Sequence, residues 1–269
     1  MQAPSRPPAD PSASSSAAPS PSLEVPERFG RARSRPEADR VWRLLWRRQL
    51  PRLPRRMCPA FLAGLDRAGL DPLRVPRTRE LSARLRDRSG WRIETVPGLL
   101  PVREFFALLR DRRFPAPDWI RSERSLGYTS EPDAFHDLFG HVPQLVEPAF
   151  GDVLSALAEA ARCASDRDLE RIERVYWFTI EFGLVRTAAG LRAMGAGLAS
   201  SVDELTRALE APTVERCAFT LSAASGRTFQ TDRPQETYFV VPSLLELGSE
   251  LARWPRASGA GASASGGTG

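Results

Sequence analysis

Helical periodicity is the feature that most restricts how this chain of 269 residues folds. Apolar residues recur at positions i, i+3, i+4 and i+7 in the segments ADRVWRLLWRRQL, CPAFLAGLDRAGL and TRELSARLRDRSG. This spacing draws one apolar stripe along each segment and indicates amphipathic helices. We expect further helices at 148–164, 168–189 and 202–209, and short strands in GWRIETVPG and ETYFVVPS. The predicted fold class is mainly α, a single helical domain with a small β element.

The two ends of the chain differ from its middle in composition. Residues 1 to about 35 are rich in Pro, Ser and Ala, and they lack the apolar residues that offset the entropy of ordering. The segment 255–269 is rich in Gly, Ser and Ala. Both ends are predicted to be disordered, with one domain at 36–254 between them.

Nothing in the sequence marks it for a membrane or for secretion. The Pro-, Ser- and Ala-rich start of the sequence offers no apolar core for a signal peptide, and no stretch offers the roughly 18 apolar residues that a spanning helix needs. The chain has 3 cysteines without CxxC spacing, which argues against a disulfide framework or a zinc ribbon. We therefore expect a cytoplasmic protein.

Basic residues are concentrated between Arg28 and Arg92, which makes an arginine-rich nucleic-acid-binding module an alternative to consider. All 38 basic residues are arginines, and they exceed the 33 acidic residues by only +5. Acids, leucines and tryptophans alternate with them at helical spacing, as in WRLLWRRQL. This pattern favours solvated helix faces, and no nucleic-acid partner is predicted.

The only two histidines lie five residues apart, in EPDAFHDLFGHVP. Neutral imidazole is a common ligand of iron and zinc. On an ideal helix, however, a five-residue step turns the two rings about 140° apart. Gly140 and Pro143 indicate that the helix ends or is distorted here, which would let both rings meet. On this pair alone, a metal site and two unrelated polar contacts both remain open.

Glu181 lies in the run VYWFTIEFGLV, where its close neighbours are aromatic, aliphatic or Thr. A buried carboxylate must be protonated, paired or bound to a metal. Pairing with a buried arginine such as Arg186 is one explanation. Together with the histidines, Glu181 also completes a facial triad, the ligand set of non-haem Fe(II) oxygenases. A catalytic zinc hydrolase with the same three ligands is the alternative from another class.

Several segments together resemble the pterin-dependent aromatic amino acid hydroxylases. They read, in order, VPGLLPVREFF, DWIRSERSLGYTSEPDAFHDLFGHVPQL, VYWFTIEFGLV, MGAGLASS and TYFVVPSLLEL. The resemblance implies a mainly α catalytic domain whose iron ligands are His136, His141 and Glu181. It also implies Fe(II) as the cofactor, with tetrahydropterin and dioxygen as cosubstrates, and no catalytic residue beyond the iron centre.

The same resemblance implies roles for residues around the metal. An aromatic ring at Phe105 would lie against the pterin, Gly98 and Leu100 would belong to the adjoining pterin loop, and Asp137 would accept hydrogen bonds from the cosubstrate. Arg121 would hold the carboxylate of the amino acid. The other implied substrate-binding residues are Tyr128, Thr129, Pro132, Trp177 and Ser200. Core packing is an equal explanation for Trp177 and the preferred one for Phe178.

The resemblance implies hydroxylation of an aromatic amino acid, and we expect L-phenylalanine to be converted to L-tyrosine. Met194 and Pro234 stand where the family usually has aromatic residues. Tyrosine, tryptophan or the meta position of phenylalanine therefore remain alternatives. The chain is similar to the short bacterial phenylalanine hydroxylases, and without a heptad seam near its end it is expected to be a monomer.

Overall fold

The computed structural model describes residues 31–127, 129 and 131–254. Its α-helices are α1 Arg35–Gln49, α2 Pro59–Ala68, α3 Thr78–Ser89, α4 Val102–Arg110, α5 Val142–Val146, α6 Pro148–Ala161, α7 Asp166–Tyr176, α8 Ala196–Ser200, α9 Val202–Glu210, α10 Leu221–Gly226 and α11 Leu244–Leu251. Its strands are β1 Arg92–Val96, β2 Arg113–Pro117, β3 Leu184–Thr187, β4 Gly190–Ala193, β5 Glu215–Ala218 and β6 Thr237–Val241. Short 3₁₀ turns occupy Leu50–Arg52 and Glu123–Ser125, and π-helical turns occupy His136–His141 and Trp177–Glu181. No helix in these residues has both the length and the apolar character needed to cross a membrane.

The described residues begin at Arg31, before the predicted domain start at 36, which stays a prediction. The amide of Ala32 donates to the carbonyl of Ile120 at 2.8 Å, and Arg31 forms a β-bridge with Arg121. These backbone hydrogen bonds hold the start of the described chain against the middle of the domain. The remaining parts of the predicted tails, 1–30 and 255–269, lie outside the described residues.

The predicted helices at 148–164 and 202–209 and the three amphipathic segments are confirmed as α6, α9, α1, α2 and α3. The helix predicted at 168–189 is wrong in its second half. It changes to a π-helical turn after Tyr176, and β3 begins at Leu184. The turn closes tightly at Gly183, where an added Cβ would lie 2.3 Å from the carbonyl oxygen of Thr179. Only glycine fits that approach, and the chain leaves the helix there.

Two small sheets complete the fold. β1 and β2 form a parallel pair, and the larger sheet has the order β4-β3-β6-β5, in which β3 and β4 are antiparallel and the other neighbours are parallel. β1 and β6 arise where strands were predicted. The sequence analysis missed β2 to β5, of which β2 reads RFPAP. Its two prolines lack amide donors and are more typical of loops or sheet edges.

Aromatic rings join α1 to the histidine segment. Trp42 packs edge-on against Phe135 with centroids 5.4 Å apart, and Trp46 does the same against Phe139 at 4.8 Å. Phe135 and Phe139 stack on each other at 4.7 Å, and all four rings are buried. The turn that carries the histidines therefore packs on α1 through a cluster of four aromatic rings.

Arginines of the N-terminal half bind main-chain carbonyl oxygens. The pairs are Arg35 with Val75, Arg43 with Leu73, Arg84 with Gly69, Arg88 with Arg67, and Arg112 with Ser89. The acceptors lie at the ends of α2 and α3 and in the connection between these helices, where carbonyls have no partner within a helix. Many of the clustered arginines thus act within the fold.

Gly195 brings the chain before α8 against the backbone of Glu181. A Cβ added at Gly195 would lie 2.1 Å from the carbonyl oxygen of Glu181 and 2.7 Å from the amide nitrogen of Phe182. Both atoms belong to the backbone and cannot move aside independently. The position of Glu181 therefore depends on a glycine at 195.

We expect Gly195→Ala to lower the free energy of unfolding by about 1–3 kcal/mol, because the added methyl overpacks a buried backbone contact. Urea unfolding of the two proteins measures the difference. Gly151→Ala in α6 is the matched control, since its Cβ would meet nothing closer than 4.0 Å, and it should stabilise the helix by up to about 1 kcal/mol. Equal stability of Gly195→Ala and the parent would contradict the packing argument.

Candidate metal centre

The two histidines are the first and last residues of a π-helical turn, His136–His141. A π-helix bonds residue i to residue i+5, so side chains five apart lie nearly above one another, unlike those of an α-helix. The ring centroids are 5.0 Å apart, and the two Nε2 atoms are 3.3 Å apart. The distortion expected from Gly140 and Pro143 is present, and it brings both rings to one point.

Glu181 ends the second π-helical turn and reaches the same point. Its Oε1 lies 3.0 Å from His141 Nε2, and its Oε2 lies 3.5 Å from His136 Nε2. One ligand atom from each of the three residues lies within 4.8 Å of the others. Glu181 is 8% exposed, so its carboxylate is largely removed from water.

A hydrogen bond on the far side of each ring orients the imidazole. The Ser200 hydroxyl donates to the Ala196 carbonyl at 2.9 Å, so its oxygen is left to accept from His136 Nδ1, also at 2.9 Å. Gln144 Oε1 accepts from His141 Nδ1 at 3.0 Å. With the hydrogen of each ring on Nδ1, the Nε2 atoms of both rings face Glu181. Two imidazole nitrogens and a carboxylate that converge in this way form a donor set suited to a divalent cation.

Burial governs the ionisation of these groups. It lowers the pKa of His136 to about 4, against the opposing charge of Glu181. Burial alone would raise the pKa of the Glu181 carboxyl, but His141 and His136 outweigh it and bring that pKa to about 2. At neutral pH the site therefore holds a neutral His136 ring and an ionised carboxylate. This donor set fits a divalent iron bound on one face.

Asp137 follows the first histidine and is 7% exposed. Burial, followed by the charges of Glu181 and Asp133, raises its pKa well above the ordinary value. Its Oδ1 lies 3.8 Å from His136 Nε2, at the edge of the triad. A bound group that donates hydrogen bonds to this carboxylate would lower the pKa again.

Arg121 is held by Asp133 in a buried bidentate pair. Arg121 Nε and Nη2 donate to the two carboxylate oxygens at 2.7 and 2.8 Å, and the side chains are 7% and 0% exposed. Asp133 also accepts from the amide of His136 at 3.0 Å. Burial would raise the pKa of Asp133, but Arg121 lowers it below its ordinary value. Asp133 thereby connects the arginine to the ligand turn.

The segment between Arg121 and the ligand turn holds three predicted substrate residues. Thr129 donates from Oγ1 to the carbonyl of Glu131 at 2.9 Å and is partly buried. Pro132 is exposed, and no described contact joins it to Trp177. Tyr128 lies outside the described residues. Their roles toward the substrate stay predictions.

Trp177 is partly buried at the start of the second π-turn. Its ring stacks on Phe229 with centroids 4.3 Å apart, and its Nε1 donates to Gln235 Oε1 at 3.0 Å. Phe178, in contrast, is 2% exposed and packs edge-on against Phe239, as expected for a core residue. A polar bond and a stacked partner give Trp177 a defined orientation.

Gln235 is itself held from below by Glu204 of α9. Glu204 Oε1 accepts from the amide of Gln235 at 2.7 Å and from the hydroxyl of Tyr238 at 2.8 Å. Glu204 is 8% exposed, and hydrogen bonds connect it through Gln235 to Trp177. This network fixes the loop before β6, in which Pro234 is exposed. Met194, in contrast, is completely buried.

The predicted pterin residue Phe105 is connected to the metal site by ring contacts. The partly buried ring of Phe105 packs edge-on against Tyr176 at 5.1 Å, and Tyr176 faces His141 at 6.4 Å. Gly98 and Leu100 are partly buried, and a Cβ at Gly98 would lie 3.8 Å from Glu131 Oε2. Phe105 is thus linked to the triad through a single ring.

Four residues of the site escaped the sequence analysis: Asp133, Gln144, Tyr176 and Gln235. Gln144 carried a usable signal, because a polar side chain within the apolar run VPQLV is the same anomaly that marked Glu181. Tyr176 carried none, since a tyrosine in an aromatic run predicts core packing. Its hydroxyl is buried close to Glu181, and burial together with the charge of that carboxylate raises the pKa of Tyr176 well above its ordinary value.

The chain was compared with known proteins. The family model described as biopterin-dependent aromatic amino acid hydroxylase matches residues 30–258. A phenylalanine-4-hydroxylase of Chromobacterium violaceum is 41% identical over 208 residues, which are 77% of this chain and 70% of that protein. One of Caulobacter vibrioides is 41% identical over 208 residues, 77% of this chain and 71% of that protein. A crystal structure of the Chromobacterium enzyme with iron(III) and 7,8-dihydrobiopterin superimposes with a TM-score of 0.79 at 39% identity, covering 86% of this chain and 84% of that one.

The Glu204 network leads to a prediction about pH. Burial raises the pKa of Glu204 above its ordinary value, despite the hydrogen bonds from Gln235 and Tyr238. The unfolded chain therefore ionises first, and the parent loses stability as pH rises through the folded pKa. The glutamine of Glu204→Gln cannot ionise. The free energy of unfolding of the variant minus that of the parent should therefore be larger at about pH 7 than at about pH 4.

Urea unfolding of parent and variant at both pH values measures this gain. Glu236→Gln changes an exposed glutamate whose side chain has no hydrogen bond or ion pair among the described residues, and it controls for the loss of one charge. A difference between Glu204→Gln and the parent that does not change with pH would contradict the prediction.

Proposed function

Because the chain belongs to the biopterin-dependent aromatic amino acid hydroxylase family, we propose that it hydroxylates L-phenylalanine to L-tyrosine as a tetrahydropterin-dependent iron monooxygenase. The observation that carries the proposal is the convergence of two imidazole lone pairs and one buried carboxylate at a single point. Two relatives with 41% identity are named phenylalanine-4-hydroxylase, which favours phenylalanine as the substrate.

His136, His141 and Glu181 would hold the iron on one face and leave its other positions open. When bound there with reduced pterin nearby, ferrous iron supplies the redox chemistry that activates dioxygen. The protein's own contribution is arrangement. Ser200 and Gln144 orient the two rings, and the buried surroundings of Glu181 exclude bulk water from the reacting groups.

Arg121 is the proposed partner of the amino acid carboxylate. Nε and Nη2 are occupied by Asp133, which keeps the guanidinium in one orientation, and the described residues leave Nη1 for another acceptor. Because Asp133 also binds the amide of His136, the substrate carboxylate and the metal turn would share one rigid support. Trp177, Thr129 and the exposed Pro132 are proposed to surround the rest of the substrate, with Tyr128 and Ser200.

The pterin is proposed to lie between Phe105 and the loop that contains Gly98 and Leu100. None of the three described ring neighbours of Phe105, which are Phe106, Phe114 and Tyr176, lies parallel to it, and we propose that the flat heterocycle stacks on this ring. Asp137 lies on the metal side of this space, where its carboxyl would accept hydrogen bonds from the heterocycle. The raised pKa of Asp137 is consistent with a group that lacks its hydrogen-bond donors.

We also propose that residues 31–254 act as a monomer in the cytoplasm. The cysteines Cys58, Cys163 and Cys217 are all free, as expected in a reducing compartment. In the described part of the chain, the large apolar side chains that are exposed lie in separate segments: Leu50, Leu73, Leu99 and Leu245. Scattered exposed leucines are normal on a monomer surface.

An aerobic assay of the iron-loaded protein with tetrahydropterin and phenylalanine, tyrosine or tryptophan tests the function. We expect tyrosine from phenylalanine, dependent on both iron and pterin, with product identified by mass and retention time. Glu181→Ala is the negative control and should lose both iron binding and product. A hydroxylated tyrosine or tryptophan, or meta-hydroxyphenylalanine, would contradict the substrate, and unchanged oxygen and pterin would contradict the reaction class.

Arg121→Lys should raise the KM for phenylalanine roughly tenfold or more, because a lysine keeps the charge but cannot pair with Asp133 through two N–H groups and present a third to the substrate carboxylate. The KM for tetrahydropterin should change little. Arg113→Lys, which alters an arginine paired with Glu94 across the β1–β2 sheet, controls for the substitution itself. An unchanged KM for phenylalanine in Arg121→Lys would remove Arg121 from substrate binding.

A further inference from the structure

Gln144 is a completely buried amide next to the metal site. It lies in α5, three residues after His141, and its exposed fraction is 0%. Burying an amide without hydrogen bonds costs roughly 1–3 kcal/mol on the scale of protein substitutions. A glutamine at such a position therefore needs partners, and each polar atom of Gln144 has at least one.

The orientation of the amide follows from its donors. Gln144 Nε2 donates to the carbonyl of Ile180 at 3.0 Å and to the carbonyl of Met194 at 3.1 Å. Both acceptors are carbonyl oxygens, so the NH₂ group must face them and Oε1 must face His141. An amide oxygen can only accept a hydrogen bond. The hydrogen of His141 must therefore lie on Nδ1, which is 3.0 Å from Gln144 Oε1.

Three separate pieces of the site meet at this one side chain. His141 belongs to the first π-turn, Ile180 directly precedes Glu181 in the second, and Met194 directly precedes Gly195, whose backbone packs on Glu181. Gln144 therefore bonds to the segments that carry two different ligands. It fixes the distance between these segments as well as the rotation of one ring.

The other ligand histidine is supported differently. His136 Nδ1 contacts Ser200, which bonds otherwise to the carbonyls of Ala196 and Gly197 within its own helix α8. Ser200 thus orients a ring but does not link the ligand turns. The faces of the His141 ring meet aromatic side chains such as Phe114, with centroids 4.6 Å apart, and its Nε2 faces Glu181 Oε1 at 3.0 Å within the triad.

We propose that Gln144 is a positioning residue that holds His141 as the Nδ1–H tautomer and clamps the two ligand turns at their metal-binding separation. The inference rests on the proposed iron site. The clamp consists of protein atoms alone, so it acts before any metal arrives. Outer partners of metal ligands commonly contribute roughly 10–100-fold to metal affinity, and a similar contribution is expected here.

Titration of metal-free protein with Co²⁺, followed by visible absorption, tests this role without relying on enzyme activity. Gln144→Met keeps the volume but removes every hydrogen bond. Gln144→Glu keeps an oxygen for His141 Nδ1 but loses the amide donors. Gln49→Met is the matched control, because Gln49 is 1% exposed and donates to the carbonyl of Leu198 without touching a ligand.

We expect Gln144→Met to weaken Co²⁺ binding roughly 10–100-fold, Gln144→Glu to weaken it clearly less, and Gln49→Met to bind like the parent. The melting temperature of the metal-free variants reports structural damage separately. A purely structural role would lower that temperature in Gln144→Met and Gln49→Met alike and leave the affinity of both unchanged, which would overturn the proposal. Equal weakening in both Gln144 variants would overturn the tautomer assignment.

Failure of the iron site itself would look different. In that case the parent chain would bind neither Co²⁺ nor Fe²⁺, and the comparison among variants would have no starting value. If Gln144→Met does not fold, Gln144→Glu carries the test. Parent-like Co²⁺ affinity in a folded Gln144→Glu, together with a changed cobalt spectrum, would support the hydrogen bond that orients the His141 ring. A loss of Co²⁺ affinity of roughly tenfold or more in this variant would oppose it.

Discussion

The buried carboxylate of Glu181, placed between the lone pairs of two imidazoles, is the interaction on which the rest of the structure depends. Without a cation, three groups rich in electron density would face one another at 3.0–3.5 Å away from water. Such an arrangement persists only when the surrounding structure determines it independently. The surroundings supply that through bonds to both Nδ1 atoms, the Arg121–Asp133 pair and the packing of Gly195 on the Glu181 backbone.

The ligands reach one point because two helices widen into π-turns at the positions where ligands are needed. A regular α-helix would separate the histidines around its circumference, whereas the i→i+5 pattern aligns them. Close approach of α8 then joins the two turns, and it depends on small residues. A Cβ at Gly140 would lie 2.8 Å from the carbonyl oxygen of Ala196, so the first turn also requires a glycine where α8 crosses it.

Much of the metal site could be predicted from the sequence, because a lone acid in an apolar run and the only two histidines are unusual enough to stand out. The helices with a clear apolar stripe were predictable for the same reason. Strand β2 was not predictable, because its two prolines are atypical of a strand. Its pairing with β1 uses only its carbonyls and the amides of its other residues. The helix predicted through residue 189 failed because periodicity continues past the backbone contact that ends it at Gly183. Asp133 and Tyr176 acquire their roles only from neighbours distant in sequence.

The hydrogen bonds from arginines to main-chain carbonyls in the N-terminal half have a chemical consequence. Their donors are guanidinium groups, and the chain has no lysine at all. A guanidinium keeps its charge to strongly alkaline pH, whereas an ammonium group loses its charge near pH 10. Reagents that acylate or cross-link side-chain amines would find no target in this protein. Its surface charge and the connections among α1, α2 and α3 would therefore survive chemistry that neutralises most basic proteins.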